Sequence, residues 1–330
     1  MKSKMRKWMV SGIILTMIFA VGCTKENTPS SQGEPEEEKL KVYASFYPMY
    51  DFAANIGGEQ AEIQLMVPPG VEAHDWEPTA KLMAEMEKAD IFIYNGLEME
   101  PWVEKLLAAI SNDKLVVVEA SSGIAPLKAE EHEEDHDHED DEDHEHEDED
   151  EDHHHGENDP HVWLSPIHAM KQAENIKNAF VQADSANQDY YEENYQDFAE
   201  KLRALDEKFM EELGNLKRNE IVTAHAAFGY LADRYGLEQV AIRGLSPQEE
   251  PSAARMAEIT KFAREHDVKY IFFETLTSPK LAEVLAREVG AQTAVLNPIE
   301  GLSQEELSAG KNYITIMEDN LTALKKALGE

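Results

Sequence analysis

Eight short runs of β-branched and aromatic residues fall into two groups of four on either side of one long helical stretch, which leaves few folds open. Residues 41–46, 63–67, 91–94 and 115–118 form the first group, and residues 221–224, 239–242, 270–273 and 293–296 the second. Apolar positions in these runs are nearly continuous, as in parallel strands covered on both faces. Helical patterns lie between them, for example residues 79–88, 101–110 (with proline at the first turn), 226–235, 252–266 and 279–289, and a last one spans 311–328. Between the groups, a helix over 166–183 precedes a longer one over 189–216, which carries Tyr191, Tyr195, Phe198, Leu202, Leu205 and Phe209 at helical spacing. The pattern predicts an α/β fold of two similar lobes, each with a central, mainly parallel four-stranded sheet flanked by helices, joined by one long rigid helix. Open α/β sheets bind ligands beyond the carboxyl ends of their strands, so the site is expected in the cleft between the lobes.

The N-terminus reads as an address. Lys2, Lys4, Arg6 and Lys7 precede an apolar run over 8–21 that is too short for a comfortable membrane span, and Gly22-Cys23 follows at once. This resembles a bacterial lipoprotein signal, with Cys23 as the lipid attachment point, although alanine stands at position 20 where leucine is usual. The expected plan is a signal peptide over 1–22, a tether over 23–39, an N-terminal lobe over 40–186, a linking helix over 187–217 and a C-terminal lobe over 218–330. Lipid attachment implies the outer face of a bacterial cell membrane, or the periplasm in a Gram-negative cell.

Residues 130–159 interrupt the first lobe with 20 Asp/Glu and 8 His and no Lys or Arg, and they carry more than half of the net charge of -37. So many like charges favour a solvated, disordered segment. Its histidines (His132, His136, His138, His144, His146, His153, His154 and His155) offer weak accessory sites for a cation such as Zn²⁺. His132-Glu133-Glu134-Asp135-His136 satisfies the zinc-protease pattern, but such matches arise here by composition alone. The charge argues against nucleic acid and against a broad hold on anionic lipid. One cysteine excludes a disulfide framework and a zinc site built on several thiolates. No G-x-S-x-G elbow, Walker loop or G-x-G-x-x-G turn is present.

Five histidines remain. His266 ends a helix, where a solvated cation suits the helix dipole, and His168 lies near a helix start, facing outward or capping it. His74, His161 and His225 each sit in a loop beside a strand or helix end, so they either converge on one metal in the cleft or are three unrelated polar residues. The motifs around them are Pro68-Pro69-Gly70 through His74-Asp75-Trp76-Glu77-Pro78, then Asp159-Pro160-His161-Val162-Trp163-Leu164-Ser165-Pro166, then His225-Ala226-Ala227-Phe228-Gly229-Tyr230. Gly244-Leu245-Ser246-Pro247, Glu250-Pro251-Ser252 and Leu296-Asn297-Pro298-Ile299-Glu300-Gly301-Leu302 follow in the same order. Together they resemble the zinc-binding lipoproteins that feed ABC-type importers, the high-affinity zinc uptake and adhesin-competence type of solute-binding protein. The resemblance implies one metal buried between two lobes, held by His74, His161 and His225. It implies Glu300 as the fourth ligand; Glu274 also lies just past a strand and is the alternative, read here as a hydrogen-bonding support near the cleft. It implies as partners a membrane permease and a cytoplasmic ATPase, and a protein that is monomeric and not an enzyme. Three imidazoles and a carboxylate suit Zn²⁺, with manganese as the alternative cargo. A zinc metallohydrolase is the alternative of a different class.

Overall fold

The computed structural model describes residues 39–128 and 157–329. The expected signal peptide, Cys23 and the eight histidines of the acidic insert lie outside the described residues. In the first lobe β1 (Leu40–Ala44), α1 (Tyr47–Gly57), β2 (Ala61–Leu65), α2 (Ala80–Met86), β3 (Ile91–Tyr94), α3 (Val103–Ala109) and β4 (Val116–Glu119) alternate. Two helices follow, α4 (Pro166–Ala183) and α5 (Gln188–Leu213). The second lobe runs β5 (Glu220–Thr223), α6 (Gly229–Tyr235), β6 (Glu238–Ala241), α7 (Ala253–Glu265), β7 (Tyr270–Phe273), α8 (Lys280–Val289), β8 (Gln292–Val295), α9 (Gln304–Ser308) and α10 (Tyr313–Gly329). Both sheets are wholly parallel, with the same order: β2-β1-β3-β4 and β6-β5-β7-β8.

Burial follows strand position. The inner strands β3 (Ile-Phe-Ile-Tyr) and β7 (Tyr-Ile-Phe-Phe) are buried along nearly their whole length. Burial on both faces fails at the outer strands: β2 (Ala-Glu-Ile-Gln-Leu) and β4 alternate between half-buried and exposed residues, as sheet edges do. Helix α1 has no counterpart in the predicted elements, because Pro48 and a cluster of aromatics obscure its periodicity, yet Pro48 fits the first helical turn, where no amide partner is needed. The third helix starts two residues after Pro101, within ordinary boundary scatter.

The 26 residues of α5 span about 39 Å. This helix is not a bare rod, since it buries Tyr191, Phe198, Leu202, Leu205, Phe209 and Leu213 against α1, α4 and α10. One hydrophobic core runs through both lobes, including Phe52 and Val42 from the first, Phe198 and Leu202 from α5, and Tyr230, Tyr313 and Leu324 from the second. Polar clasps reinforce it. Trp163 Nε1–H donates to the Pro298 carbonyl at 2.7 Å, and the Tyr313 hydroxyl donates to the Trp163 carbonyl at 2.5 Å. Trp163→Phe would keep most of the packing but strand the buried Pro298 carbonyl. Such a loss costs about 1–3 kcal/mol, so the denaturant midpoint of the metal-free protein should fall; an unchanged midpoint would count against the clasp.

The acidic insert leaves and rejoins the first lobe at one point. Lys128 pairs antiparallel with Asn158, and the Asp159 amide donates to the Leu127 carbonyl at 2.9 Å. The Leu127 amide in turn donates to the Tyr230 hydroxyl of α6 at 2.9 Å.

Candidate metal centre

Each sheet has a switch point, where successive crossovers leave in opposite directions, between β1 and β3 and between β5 and β7. In the second lobe His225 lies just past β5, Glu274 just past β7 and Glu300 on the loop after β8. In the first lobe His74 lies on the loop after β2, and His161 immediately precedes the 3₁₀ turn Val162–Leu164. The structure brings His74, His161, His225 and Glu300 together, and does not include Glu274 in that group.

The separations are small and even. His74 Nε2 and His225 Nε2 lie 3.3 and 3.4 Å from His161 Nε2. Glu300 Oε1 lies 3.5 Å from His74 Nε2 and 3.2 Å from both His161 Nε2 and His225 Nε2. A tetrahedron around Zn²⁺ with bonds of about 2.0–2.1 Å has edges of about 3.3–3.4 Å. The four donor atoms therefore have the spacing, the number and the chemistry of a closed zinc site.

Carboxylates accept the backbone amides of all three histidines. Asp159 Oδ1 accepts the His161 amide at 2.9 Å, Glu274 Oε1 accepts the His225 amide at 3.2 Å, and Glu72 Oε1 accepts the His74 amide at 3.0 Å. At two of the three the same oxygen also meets the ring, 2.7 Å from His161 Nδ1 and 2.6 Å from His225 Nδ1. A proton held on Nδ1 leaves the Nε2 lone pair for a metal and fixes the ring's rotation. Glu274 is thus a brace for His225. Sequence reasoning assigned no role to Asp159 or Glu72, although both stand two residues before a histidine, a local signal that was there to be read.

The loops are themselves supported. Buried Glu100 accepts from Ser45 Oγ and from the Asn95 and Gly96 amides at 2.6–3.1 Å, and burial still pushes its pKa up to about 7. Asn95 Nδ2 then donates to the Pro160 carbonyl at 3.0 Å, next to His161. On the opposite side Ile299 has a φ of 61°, an uncommon and costly conformation for a β-branched residue, and it directly precedes Glu300. The Ile299 amide donates to Asn297 Oδ1 at 2.8 Å, which holds that bend. Gly229 has no side chain for a steric reason, since a Cβ there would stand 2.4 Å from Asp159 Oδ2 and displace the brace of His161.

Charge in the metal-free cluster is shared. Burial would raise the Glu300 pKa, but the facing imidazoles His74 and His225, with hydrogen bonds from His161 and His225, hold it well below the usual carboxylate value. Burial would lower His161 and His225, yet Asp159 and Glu300 leave His161 raised, and Glu274 and Glu300 leave His225 raised well above 6.5.

The other two histidines lie elsewhere. His266 stacks on Phe262 with ring centroids 4.1 Å apart, and its Nδ1 is 3.0 Å from Glu220 Oε1. His168 does not simply face outward: it is half-buried, with its ring edge-on to Tyr230 at 5.3 Å.

Residues 42–327 match the family described as zinc-uptake complex component A, periplasmic. The chain is 42% identical to the high-affinity zinc uptake system protein ZnuA of Bacillus subtilis, over 98% of each. It is 41% identical to the zinc-binding lipoprotein AdcA of Streptococcus pneumoniae over 94% of its own length, but spans only 59% of that longer protein. The crystal structure of the Zn(II)-bound ZnuA-like domain of Streptococcus pneumoniae AdcA superposes with a TM-score of 0.73 at 39% identity, covering 89% of this chain and all of that domain. A family match across both lobes, and a relative of its own length at this identity, mean that the chain belongs to the zinc-uptake complex component A family.

Proposed function

We propose that this protein captures Zn²⁺ outside the cytoplasm and delivers it to the permease of an ABC importer, with His74, His161, His225 and Glu300 as the four ligands. The observation that carries the reading is the set of five donor separations between 3.2 and 3.5 Å, the edges of a zinc-sized tetrahedron. Three imidazoles and one carboxylate favour zinc over manganese, which does better with more carboxylate oxygen. Four protein donors also leave no open position for an activated water, so the chemistry is capture rather than hydrolysis. ATP hydrolysis then belongs to a cytoplasmic partner. The family supports an extracytoplasmic location, and the reading adds Cys23 as a lipid anchor, 1–22 as a cleaved signal and 23–39 as a tether. No helix among the described residues is long and apolar enough to cross a membrane. The lobe limits 40–186 and 218–330, with 187–217 linking them, complete the plan. Metal analysis of purified protein, with anomalous diffraction on both sides of the zinc edge, tests it. One tightly held zinc ion among these four side chains is expected, and manganese there, or no zinc among these four, would overturn it.

The acidic insert fits a collector of zinc feeding this site. Because Lys128 and Asn158 already stand opposite each other, replacing residues 129–157 with Asn-Gly closes a two-residue hairpin turn. The only described pairing lost is the Lys128–Glu157 ion pair, which is exposed and contributes little. Calorimetric titration of the shortened chain should show the single tight site intact and the weaker zinc equivalents gone. Equal stoichiometry in both chains would leave the insert without that role.

A further inference from the structure

The four donor groups are not walled off equally. His161, His225 and Glu300 are buried, with side-chain exposures of 0, 0 and 4%, whereas the His74 side chain keeps 12%. A cation therefore comes closest to the cluster along the loop after β2. On that loop, two residues before His74, stands Glu72, itself only partly buried. Asp159 and Glu274 turn onto a ring nitrogen the oxygen that takes the histidine amide, but Glu72 engages differently. Its Oε1 takes the His74 amide, while its Oε2 accepts from Gln248 Nε2 of the facing lobe at 3.4 Å. The same carboxyl lies close enough to Glu300 for the two negative charges to repel. Glu72 thus stands between the buried carboxylate and the rim of the opposite lobe, which it touches at Gln248. Zn²⁺ arrives hydrated, and stripping its water with no replacement oxygen is costly. A carboxylate at the rim, adjoining one inside, supplies that replacement in two short moves.

We propose that Glu72 is a relay ligand, which takes Zn²⁺ at the rim, passes it to Glu300 and the imidazoles, and receives it again when it leaves. This rests on the cluster being the zinc site. Four donors already complete the tetrahedron, so Glu72 serves the path and not the end state. A group that stabilises only the path speeds both directions by one factor and leaves the equilibrium alone.

Glu72→Gln is the informative variant, because its amide oxygen can still accept from the His74 amide, its NH2 can donate to a flipped Gln248 side-chain amide, and the charge is lost. Zinc association is followed by stopped-flow competition with a zinc-responsive dye, and dissociation by transfer to excess chelator, extrapolated to saturation. Both rates are expected to fall together, by roughly tenfold, with Kd unchanged; that unchanged Kd also shows the site is intact. Faster release with a weaker Kd would overturn the relay and make Glu72 a brace of the His74 loop. Unchanged rates would overturn it by placing the route elsewhere. A wild-type chain that holds no zinc would overturn the zinc reading and the relay with it, an outcome distinct from either kinetic one.

Discussion

Replacing His225 with alanine is expected to loosen zinc by several orders of magnitude. Loss of an outer hydrogen-bond partner of a metal-ligating histidine costs roughly 10–100-fold, and this change removes the ligand and its partner's purpose together. His225 is fully buried, so the gap is not simply filled by an exposed side chain. Glu274 would lose the ring it holds at 2.6 Å and remain buried, 3% exposed, with only the residue-225 amide and the Thr277 hydroxyl as donors, which disfavours the closed site further. Glu300→Gln should be milder, because an oxygen donor stays in place while one charge is lost. Competition titration against a chelator of known affinity ranks the variants. Wild-type affinity in the His225 variant would remove that residue from the site.

Zinc affinity should climb steeply with pH. An imidazole can ligate only through an unprotonated nitrogen, and in the metal-free cluster His161 is raised and His225 raised well above the ordinary value. Protons therefore compete from above pH 6.5 downward. Each proton displaced weakens binding about tenfold per pH unit, so two give about 100-fold. Glu300, held low, stays ionised throughout this window and adds no such penalty. The metal-free fold responds with the opposite sign: raised imidazoles add stability that is full below about 6.5 and is lost as pH climbs through the raised values. Chelator competition at successive pH values measures the slope, and a flat profile between pH 8 and 6 would contradict the shared-proton cluster.

Much of this was legible from residues alone. Runs such as Tyr270–Phe273 announce buried strands because β-branched and aromatic side chains fit a covered sheet. A histidine set just past a strand end, as His225 is, announces a cleft because parallel sheets present those ends to ligands. The choice between Glu274 and Glu300 was not legible from spacing, since both follow strands of one lobe. Three-dimensional facts separate them: β7 is an inner strand beside β5, which puts Glu274 behind His225, and the left-handed turn at Ile299 swings Glu300 in front. The network from Glu100 through Asn95 to Pro160 was equally hidden, because its partners lie up to 65 residues apart and carry no local pattern.

The continuous core has a consequence for recognition. Trp163 grips Pro298 while Tyr313 grips Trp163, inside apolar packing that crosses from lobe to lobe. Clasps of this kind resist hinging, and a body that does not hinge would present nearly the same silhouette loaded and empty. The message "loaded" would then be written in something smaller: the posture of the loop that carries His74, and the local charge once a dication has replaced protons. A permease that docks on that rim would read its passenger's presence as a change of surface potential and loop order, as a reader runs a fingertip over a page of braille without unfolding the book.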